Sequence, residues 1–331
     1  MSTPTLLDLE LRGGRVPVLR AEPGPDAAGW AATHRAALRA AVTEHGAVLV
    51  RGLALADAGT TAAVVRGLGA DPVAEREAFA PRTPLPGGLY SSTPWPATQP
   101  MCMHHELSYT LEPPGLLAFA CLTAPTTGGA TGLADAPSVL AALPPDLVAR
   151  VEREGWLLVR TYTDEIGASV EDAFGTADRD AVERTCRAAG IDTEWLPDGG
   201  LRTRQRRRGV VGHPVTGARC WFNQIAFLNE WTLDPEVREY LVDVYGEEGL
   251  PFTTRFGDGG PIGADVVAEI NAVYESATVR EPWQAGDLLL VDNVRTAHSR
   301  EPFTGPREVV VALADPVRLP AVSPSAEGGP R

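Results

Sequence analysis

The chain of 331 residues contains no lysine, so its 29 basic residues are all arginines. Without lysine the protein has no residue for a Schiff base, for attachment of pyridoxal phosphate or for the lysine position of a phosphate-binding P-loop. The formal net charge of −14 argues against binding to nucleic acid or to anionic membranes, because both are negatively charged. We therefore expect neither nucleic acid nor membrane as a partner.

Cysteine is scarce and scattered. The four cysteines, Cys102, Cys121, Cys186 and Cys220, form no Cys-x-x-Cys pair, which is typical of a reduced cytosolic protein and not of a disulfide scaffold or a zinc–thiolate site. The N-terminus lacks the basic segment and apolar core of a signal peptide, and no apolar run approaches transmembrane length. The sequence predicts a cytoplasmic protein.

Apolar runs and helical periodicities alternate irregularly along the chain. The strands that we predict cover residues 47–52, 116–122, 156–162, 220–227, 287–291 and 308–313, and the helices cover 26–45, 57–68, 138–154, 235–244 and 264–274. The regular β-α alternation of a parallel sheet is missing. We expect a single catalytic domain over residues 1–331, built on a β-sandwich or barrel with flanking helices, a helical insertion at about 163–200 and a disordered tail at about 320–331.

A histidine and a carboxylate lie two positions apart, at His104 and Glu106. On a β-strand such residues point to the same face, whereas His105 between them points to the other face and is interpreted as structural. His298 follows an apolar run at residues 288–291 and is a third candidate ligand. Two imidazoles and one carboxylate form the facial triad that binds Fe(II) and leaves open positions on the metal.

A proline-rich loop leads directly into this motif. Seven prolines lie between residues 70 and 100, which excludes much regular structure there. Arg82, Ser92 and Thr93 in this loop are candidate substrate contacts, with ordinary surface positions as the alternative. Asn223 and Gln224, on the predicted strand 220–227, are also candidates, and hydrogen-bonded buried amides are the alternative for them.

Three motifs in order resemble one family: His104-x-Glu106, Gly128-Gly-x-Thr131, and Asp292-Asn-x-x-x-x-His298 continued to Arg307. Together they resemble the taurine dioxygenase-like (TauD/TfdA) superfamily of Fe(II)/2-oxoglutarate-dependent oxygenases. The resemblance is strongest to the SyrP-like branch of amino-acid hydroxylases from nonribosomal-peptide pathways, and it covers about residues 40–315. Two features depart from the commonest pattern, because the carboxylate is Glu106 where many relatives have aspartate and because His105 lies between the ligands.

The resemblance implies a mainly β fold with flanking helices, a double-stranded β-helix (jelly roll) of the clavaminate synthase-like type. It implies that His104, Glu106 and His298 bind iron, that Arg307 pairs with the distal carboxylate of 2-oxoglutarate and that Thr131 assists it. The cofactor would be Fe(II), with 2-oxoglutarate and O2 as co-substrates. The implied reaction is hydroxylation of an unactivated C–H bond of an amino acid or its derivative, free or bound to a carrier protein, in specialised metabolite biosynthesis.

Several alternatives stay open. Related halogenases replace the carboxylate ligand with a small residue, so Glu106 disfavours halogenation, whereas desaturation, cyclisation and epoxidation use the same ligands. A cupin-type metalloenzyme without 2-oxoglutarate would need neither Arg307 nor Thr131. A non-catalytic jelly-roll binding module would keep the histidines only for structure.

Five arginines cluster within seven residues of this acidic chain: Arg202, Arg204, Arg206, Arg207 and Arg208. A solvated strand edge is the simplest interpretation of such a run. The alternative is a docking surface for an acidic carrier protein. The sequence carries no signal for an oligomeric state.

Overall fold

The backbone forms many short strands and eight helices within the residues that the computed structural model describes, which are 8–22, 24, 26–74 and 82–319. The helices are Ala27–His45 (α1), Ala58–Gly67 (α2), Ala136–Ala142 (α3), Pro145–Glu154 (α4), Val170–Phe174 (α5), Arg179–Ala188 (α6), Pro235–Tyr245 (α7) and Ala264–Ala277 (α8). Two 3₁₀ turns lie at Glu230–Thr232 and Glu247–Gly249. None of the helices in these ranges is long and apolar enough to cross a membrane.

The strands of the same ranges are short, and most have five residues or fewer. In chain order they are Leu9–Glu10 (β1), Val18–Arg20 (β2), Ala47–Arg51 (β3), Pro84–Leu85 (β4), Leu89–Ser91 (β5), Met101–His104 (β6), Pro114–Thr123 (β7), Thr127–Gly128 (β8), Thr131–Asp135 (β9), Trp156–Tyr162 (β10), Ile191–Trp195 (β11), Leu201–Arg207 (β12), Val210–Gly212 (β13), Arg219–Trp221 (β14), Phe252–Phe256 (β15), Leu288–Asp292 (β16), Thr296–Arg300 (β17), Phe303–Thr304 (β18) and Glu308–Pro316 (β19).

The largest sheet has eight strands in the order β1-β2-β3-β16-β7-β19-β5-β4, and only its β2–β3 pair is parallel. Its central strands are buried on both faces. Along β7, Leu117 and Cys121 enter one apolar core while Leu116 and Ala120 enter a second core beneath α1 and α2. Burial on both faces explains why these strands are continuous apolar runs and not alternating ones.

Smaller antiparallel sheets form the opposite layer. One has the order β6-β17-β9, and another has the order β11-β12-β10-β15. Their inner residues, such as Met103, Ala297 and Leu158, pack in the same core cluster as Leu117 of the large sheet. Two packed sheet layers with helices outside them agree with the predicted jelly roll.

Most of the helices and strands predicted from the sequence are present. Helices α1 and α2 each begin after an aspartate N-cap. Asp26 Oδ1 accepts a hydrogen bond from the Gly29 N–H at 2.8 Å, and Asp57 Oδ1 accepts one from the Thr60 N–H at 2.7 Å. The large sheet starts earlier than residue 40, because β1 and β2 extend its edge. The predicted disordered tail at 320–331 lies outside the described residues.

Three predictions of local structure are wrong. The helix predicted at 138–154 is two helices, because Pro144 and Pro145 lack the N–H groups that would continue α3. The insertion at 163–200 contains α5 and α6 but ends in β11, which pairs with β12. The strand predicted at 220–227 stops at Trp221.

The arginine-rich strand β12 alternates between the interior and the outer surface. Arg207 is buried and donates hydrogen bonds to the carbonyl oxygens of Tyr109 at 2.6 Å, Ala189 at 2.8 Å and Gly190 at 3.2 Å. It therefore joins the end of α6 to the segment that follows Glu106. Arg204, on the other face, pairs with Glu194 of the neighbouring strand at 2.8 Å.

We expect Arg207→Gln to lower the free energy of unfolding by about 2–4 kcal/mol, because several buried carbonyl groups lose a charged donor. The matched change Arg204→Gln should cost less than about 1 kcal/mol, because its ion pair is exposed to solvent. Urea unfolding followed by circular dichroism measures both. Equal losses in the two variants would contradict the structural role given to Arg207.

Candidate metal centre

His104, Glu106 and His298 converge on one point inside the jelly roll. Their ligand atoms all lie within 4.8 Å of one another, and all three residues are buried. His104 ends β6, and His298 lies opposite it on β17 in the antiparallel register. The pairing of these two strands brings together residues that are far apart in the chain.

Glu106 reaches the same point from a turn and not from a strand. Strand β6 ends at His104, so the expectation that strand alternation would aim Glu106 is wrong. The backbone instead turns sharply at Leu107, which has a left-handed φ of 52°. Such a conformation is rare for leucine and is typical of functional sites.

Asn293 fixes the backbone of Glu106. Its Oδ1 accepts from the Glu106 N–H at 2.7 Å, and its Nδ2 donates to the Glu106 carbonyl at 2.9 Å and to the Pro114 carbonyl at 2.8 Å. The Asn293 carbonyl also accepts from His105 Nδ1 at 2.6 Å. The oxygen and the nitrogen of one amide side chain thus both hold the turn that carries the Glu106 carboxylate.

The turn that contains Asn293 is itself fixed by Asp292. Its Oδ1 accepts from the backbone N–H groups of Val294 at 3.1 Å and Arg295 at 3.0 Å, and its Oδ2 accepts from His213 Nε2 at 2.8 Å. His213 Nδ1 accepts from two backbone N–H groups, which places its proton on Nε2. The Asp292-Asn293 pair therefore positions ligands on both sides of the site.

The environment of both histidine rings favours the neutral form that a metal ligand needs. His104 Nδ1 donates to the Cys102 carbonyl at 2.9 Å, which leaves the Nε2 lone pair for a metal. Burial lowers the pKa of His104, and burial together with His104 lowers the pKa of His298 well below its usual range. His105 turns away, packs against the Phe222 ring at 4.8 Å, and has its pKa lowered to about 4 by burial.

Glu106 is ionised although it is buried. Burial is the largest single influence and would raise the pKa of the carboxyl group, but the charge and the hydrogen bond of Arg82, together with His104, outweigh it and lower the pKa. Arg82 Nη2 donates to Glu106 Oε2 at 2.7 Å, and Arg82 Nε donates to Thr93 Oγ1 at 3.1 Å. Of the three loop residues predicted as substrate contacts, Arg82 lies beside Glu106 and Thr93 lies beside Arg82. Ser92 is exposed, and its N–H bonds to the Val309 carbonyl.

Aromatic rings close the sides of the site. The Phe227 ring stacks on His104 with a centroid distance of 4.4 Å and an interplanar angle of 18°. The Phe119 ring lies 5.2 Å from that of His298. Burial raises the pKa of the Cys102 thiol, which disfavours the thiolate that a nucleophile would need.

Arg307 is a partly buried guanidinium that meets no carboxylate within salt-bridge distance in the described part of the chain. Its Nε donates to the Gly129 carbonyl at 3.1 Å, within the predicted Gly128-Gly-x-Thr131 motif. Burial, with Arg300 nearby, lowers its pKa to about 10, which leaves it charged at neutral pH. Thr131 is buried at the start of β9, two residues after Gly129.

The predicted amide contacts are used for structure. Asn223 Nδ2 donates to the Gly209 carbonyl at 3.0 Å, and Asn223 Oδ1 accepts from the Ile225 N–H at 3.1 Å. This side-chain bond to the backbone replaces the strand predicted there. Gln224 Nε2 donates to the His105 carbonyl at 2.8 Å, so it supports the backbone between the ligands.

Sequence reasoning missed three contributors to the site. Asn293 lies in the motif that begins at Asp292, but the motif assigned it no role, and Phe227 was expected only as part of a strand. Arg300 is buried and donates to the carbonyls of Trp95 at 3.1 Å, Pro96 at 2.6 Å and Gln99 at 2.8 Å. Its position two residues after His298 is the only signal in the sequence that could have indicated it.

We expect Asn293→Ala to weaken divalent-metal binding by roughly 10- to 100-fold, because the turn that carries Glu106 loses its support. Mn(II) binding to the metal-free protein, followed by electron paramagnetic resonance, measures this change. Asn271→Ala on the half-buried face of α8 is the control and should bind Mn(II) as the wild type does. Wild-type affinity in the Asn293 variant would show that the clamp is dispensable.

Comparison with known proteins agrees with this geometry. The model of the family described as "Taurine catabolism dioxygenase TauD, TfdA family" matches residues 14–313. The chain is 34% identical over 289 residues to the dapdiamide synthesis protein DdaC of Enterobacter agglomerans, which covers 87% of this chain and 86% of DdaC. It is 32% identical over 281 residues to a clavaminate synthase-like protein of Arabidopsis thaliana, with 82% of each chain covered.

Solved structures share the fold at low sequence identity. A taurine dioxygenase from Burkholderia xenovorans has a TM-score of 0.53 at 18% identity, covering 97% of this chain and 96% of that one. PvcB of Pseudomonas aeruginosa has a TM-score of 0.51 at 15% identity, covering 91% and 86%. The predicted mainly β jelly roll is confirmed.

The extent of the family match decides the class of the protein. Because the family model spans residues 14–313 and two relatives exceed 30% identity over most of the chain, the predictions of a dioxygenase and of Fe(II) and 2-oxoglutarate as its cofactors are confirmed at the level of the family. The chain belongs to the taurine catabolism dioxygenase TauD, TfdA family.

Proposed function

We propose that this enzyme uses Fe(II), 2-oxoglutarate and O2 to hydroxylate an unactivated C–H bond of an amino acid or an amino-acid derivative. The observation that carries the proposal is the buried group of His104, Glu106 and His298. Its donor set of two neutral imidazoles and one carboxylate suits Fe(II) with positions left open for other ligands. Bound iron would supply the oxygen activation that no side chain provides.

Arg307 is proposed to bind the distal carboxylate of 2-oxoglutarate. A guanidinium fork matches a carboxylate with two parallel hydrogen bonds. The partly buried charge of Arg307 without a carboxylate partner in the described residues calls for an anion, and the Thr131 hydroxyl would add a donor beside it. This need for an anionic co-substrate distinguishes the enzyme from a cupin-type metalloenzyme that uses none.

The protein side chains would orient the reactants and keep water away. Phe227 stacks on the face of His104, Phe119 contacts the His298 ring at an angle, and Asn293 holds Glu106 through its backbone. Arg82 and Thr93, beside Glu106, would form the side that meets the substrate. We propose that these parts act within a single catalytic domain.

The substrate class is supported by two relatives. DdaC is named as a dapdiamide synthesis protein, and PvcB is described as an Fe, alpha-ketoglutarate-dependent oxygenase from an isonitrile synthetic pathway. Both names point to specialised metabolites, and the sequence motifs resemble amino-acid hydroxylases. We propose the same setting for this enzyme, with an amino acid or its derivative as substrate.

Docking of a carrier protein at the arginine cluster has weaker support. Arg207 is committed to the interior, Arg206 donates to the Glu154 carbonyl at 2.8 Å, and Arg202 donates to the Glu248 carbonyl at 2.7 Å. Arg204 faces outward against Glu194, and Arg208 is exposed. A carrier-bound substrate would therefore have to use these last two positions, and a free substrate is the simpler proposal.

Anaerobic titration of the metal-free protein with Fe(II) and 2-oxoglutarate tests the class of the enzyme. We expect a weak visible charge-transfer band in the wild type and none in Glu106→Ala. Arg307→Gln should need roughly 30-fold more 2-oxoglutarate, because losing one partner of a desolvated charge pair costs about 2–5 kcal/mol. Arg204→Gln is the control for arginine removal. Iron binding without a band would favour the cupin-type alternative.

A substrate screen tests the reaction and its delivery. Each proteinogenic L-amino acid is offered free and as its N-acetylcysteamine thioester, and succinate release is measured with the mass of the product. We expect a product heavier by one oxygen atom, whereas loss of two hydrogens would show desaturation. If only thioesters react, a paired reversal at Arg204 and Arg208 should weaken the binding of a loaded carrier protein, and unchanged affinity would exclude docking there.

A further inference from the structure

One carboxylate oxygen of Glu106 faces the two histidines and also accepts a hydrogen bond from Arg82. Glu106 Oε2 lies 3.7 Å from His298 Nε2 and 4.0 Å from His104 Nε2, so it is the oxygen that faces the metal position. The same atom accepts the hydrogen bond from Arg82 Nη2 at 2.7 Å. The side chains of Arg82 and Glu106 are each only 7% exposed, so the pair is largely shielded from solvent.

We propose that Arg82 competes with the divalent metal for Glu106 Oε2 and holds this oxygen in the metal-free protein. When the divalent metal binds, it would then replace the guanidinium of Arg82 on Glu106 Oε2. Arg82 is a positioning residue in this scheme, because it acts through the metal ligand. The inference rests on the proposed function, since it requires that His104, Glu106 and His298 bind the metal.

The charges in the site favour an exchange over simultaneous binding. In the metal-free site Arg82 neutralises the negative charge of Glu106 through a hydrogen bond of 2.7 Å that is largely shielded from solvent. A divalent cation on the same three ligands reverses the sign of the site. The guanidinium would then face a positive centre, so the attraction that held it is replaced by repulsion.

A second contact keeps Arg82 near the site after the exchange. Arg82 Nε donates to Thr93 Oγ1 at 3.1 Å, and Thr93 follows β5 at the edge of the large sheet. The hydrogen bond of Nε is separate from that of Nη2, so the guanidinium can leave Glu106 by a small rotation. This arrangement stabilises the metal-free site without a large movement of the chain.

The competing explanation is that Arg82 only orients Glu106. Removal of an orienting residue weakens metal binding, because the free carboxylate must be ordered by the metal itself. Removal of a competitor strengthens metal binding, because the metal no longer has to displace a buried ion pair. The two explanations thus predict opposite signs for one measurable quantity, the affinity of the metal-free protein for a divalent cation.

The experiment is a Mn(II) titration of metal-free wild type, Arg82→Gln, Arg82→Lys and Arg51→Gln, with free Mn(II) followed by electron paramagnetic resonance. Arg51 is the matched control, because its buried guanidinium pairs with Glu281 at 3.1 Å and Asp287 at 3.3 Å away from the metal ligands. We expect Arg82→Gln to bind Mn(II) about tenfold more tightly than the wild type, which is within the usual range of coupling between sites. Arg82→Lys should lie between them, and Arg51→Gln should match the wild type.

Thermal unfolding with and without Mn(II) is the second measurement. Metal-free Arg82→Gln should unfold at a lower temperature than metal-free wild type, and saturating Mn(II) should raise its unfolding temperature by more than it does for the wild type. If metal-free Arg82→Gln aggregates, loss of Mn(II) from the loaded variant to a chelator replaces the titration and should be slower than in the wild type.

The outcomes separate the inference from the proposed function. Mn(II) affinity that is equal or lower in Arg82→Gln, with normal binding in the wild type, would overturn the competition and leave the oxygenase proposal standing. Failure of the wild type to bind Mn(II) would instead remove the proposed metal centre. Tighter binding in both Arg82→Gln and Arg51→Gln would point to general loosening of the fold and would also overturn the competition.

Discussion

The double hydrogen bond between the Asn293 amide and the Glu106 backbone is the contact on which the site depends. It joins the turn after β6 to the turn between β16 and β17, and each turn leads to or from a metal-ligand residue. Asp292 fixes the second turn from the other side through two backbone N–H groups. The geometry of the metal ligands is therefore set by buried amide and carboxylate groups, whose hydrogen bonds are costly to lose in an apolar core.

Two buried arginines in the described part of the chain have defined partners. Arg82 neutralises Glu106, and Arg207 satisfies three carbonyl groups at the end of α6 and after Glu106. Arg307 is the exception among these three arginines, because it meets no carboxylate within the described residues and bonds to a single carbonyl. That exception marks the place where an organic anion is proposed to bind, and the carbonyl lies just before β9, the strand that pairs with the strand of His298.

The sequence predicted the candidate metal ligands better than it predicted the backbone path that brings them together. His104 and His298 could be predicted because apolar strands flank them, and Arg307 because a motif surrounds it. The route of Glu106 could not be predicted, since the end of β6 and the left-handed Leu107 depend on contacts with Asn293, 187 residues away. The hydrogen bonds of Asn223 and Gln224 to the backbone could not be predicted, because nothing local in the sequence shows whether an amide faces a cavity or a buried carbonyl. The two prolines, Pro144 and Pro145, indicate a break in the helix. The prediction missed the break because the helical periodicity continues on both sides of them.

The left-handed turn at Leu107 links the length of the carboxylate side chain at position 106 to the path of the backbone. A glutamate on this turn reaches one methylene further than an aspartate would, and the turn places Glu106 beyond the end of β6. Neither the length of this side chain nor the path of the backbone can change alone without moving the carboxylate relative to the two imidazoles. An aspartate at position 106 on this backbone would hold its carboxylate short of the point where Glu106 Oε2 lies, 3.7 Å from His298 Nε2.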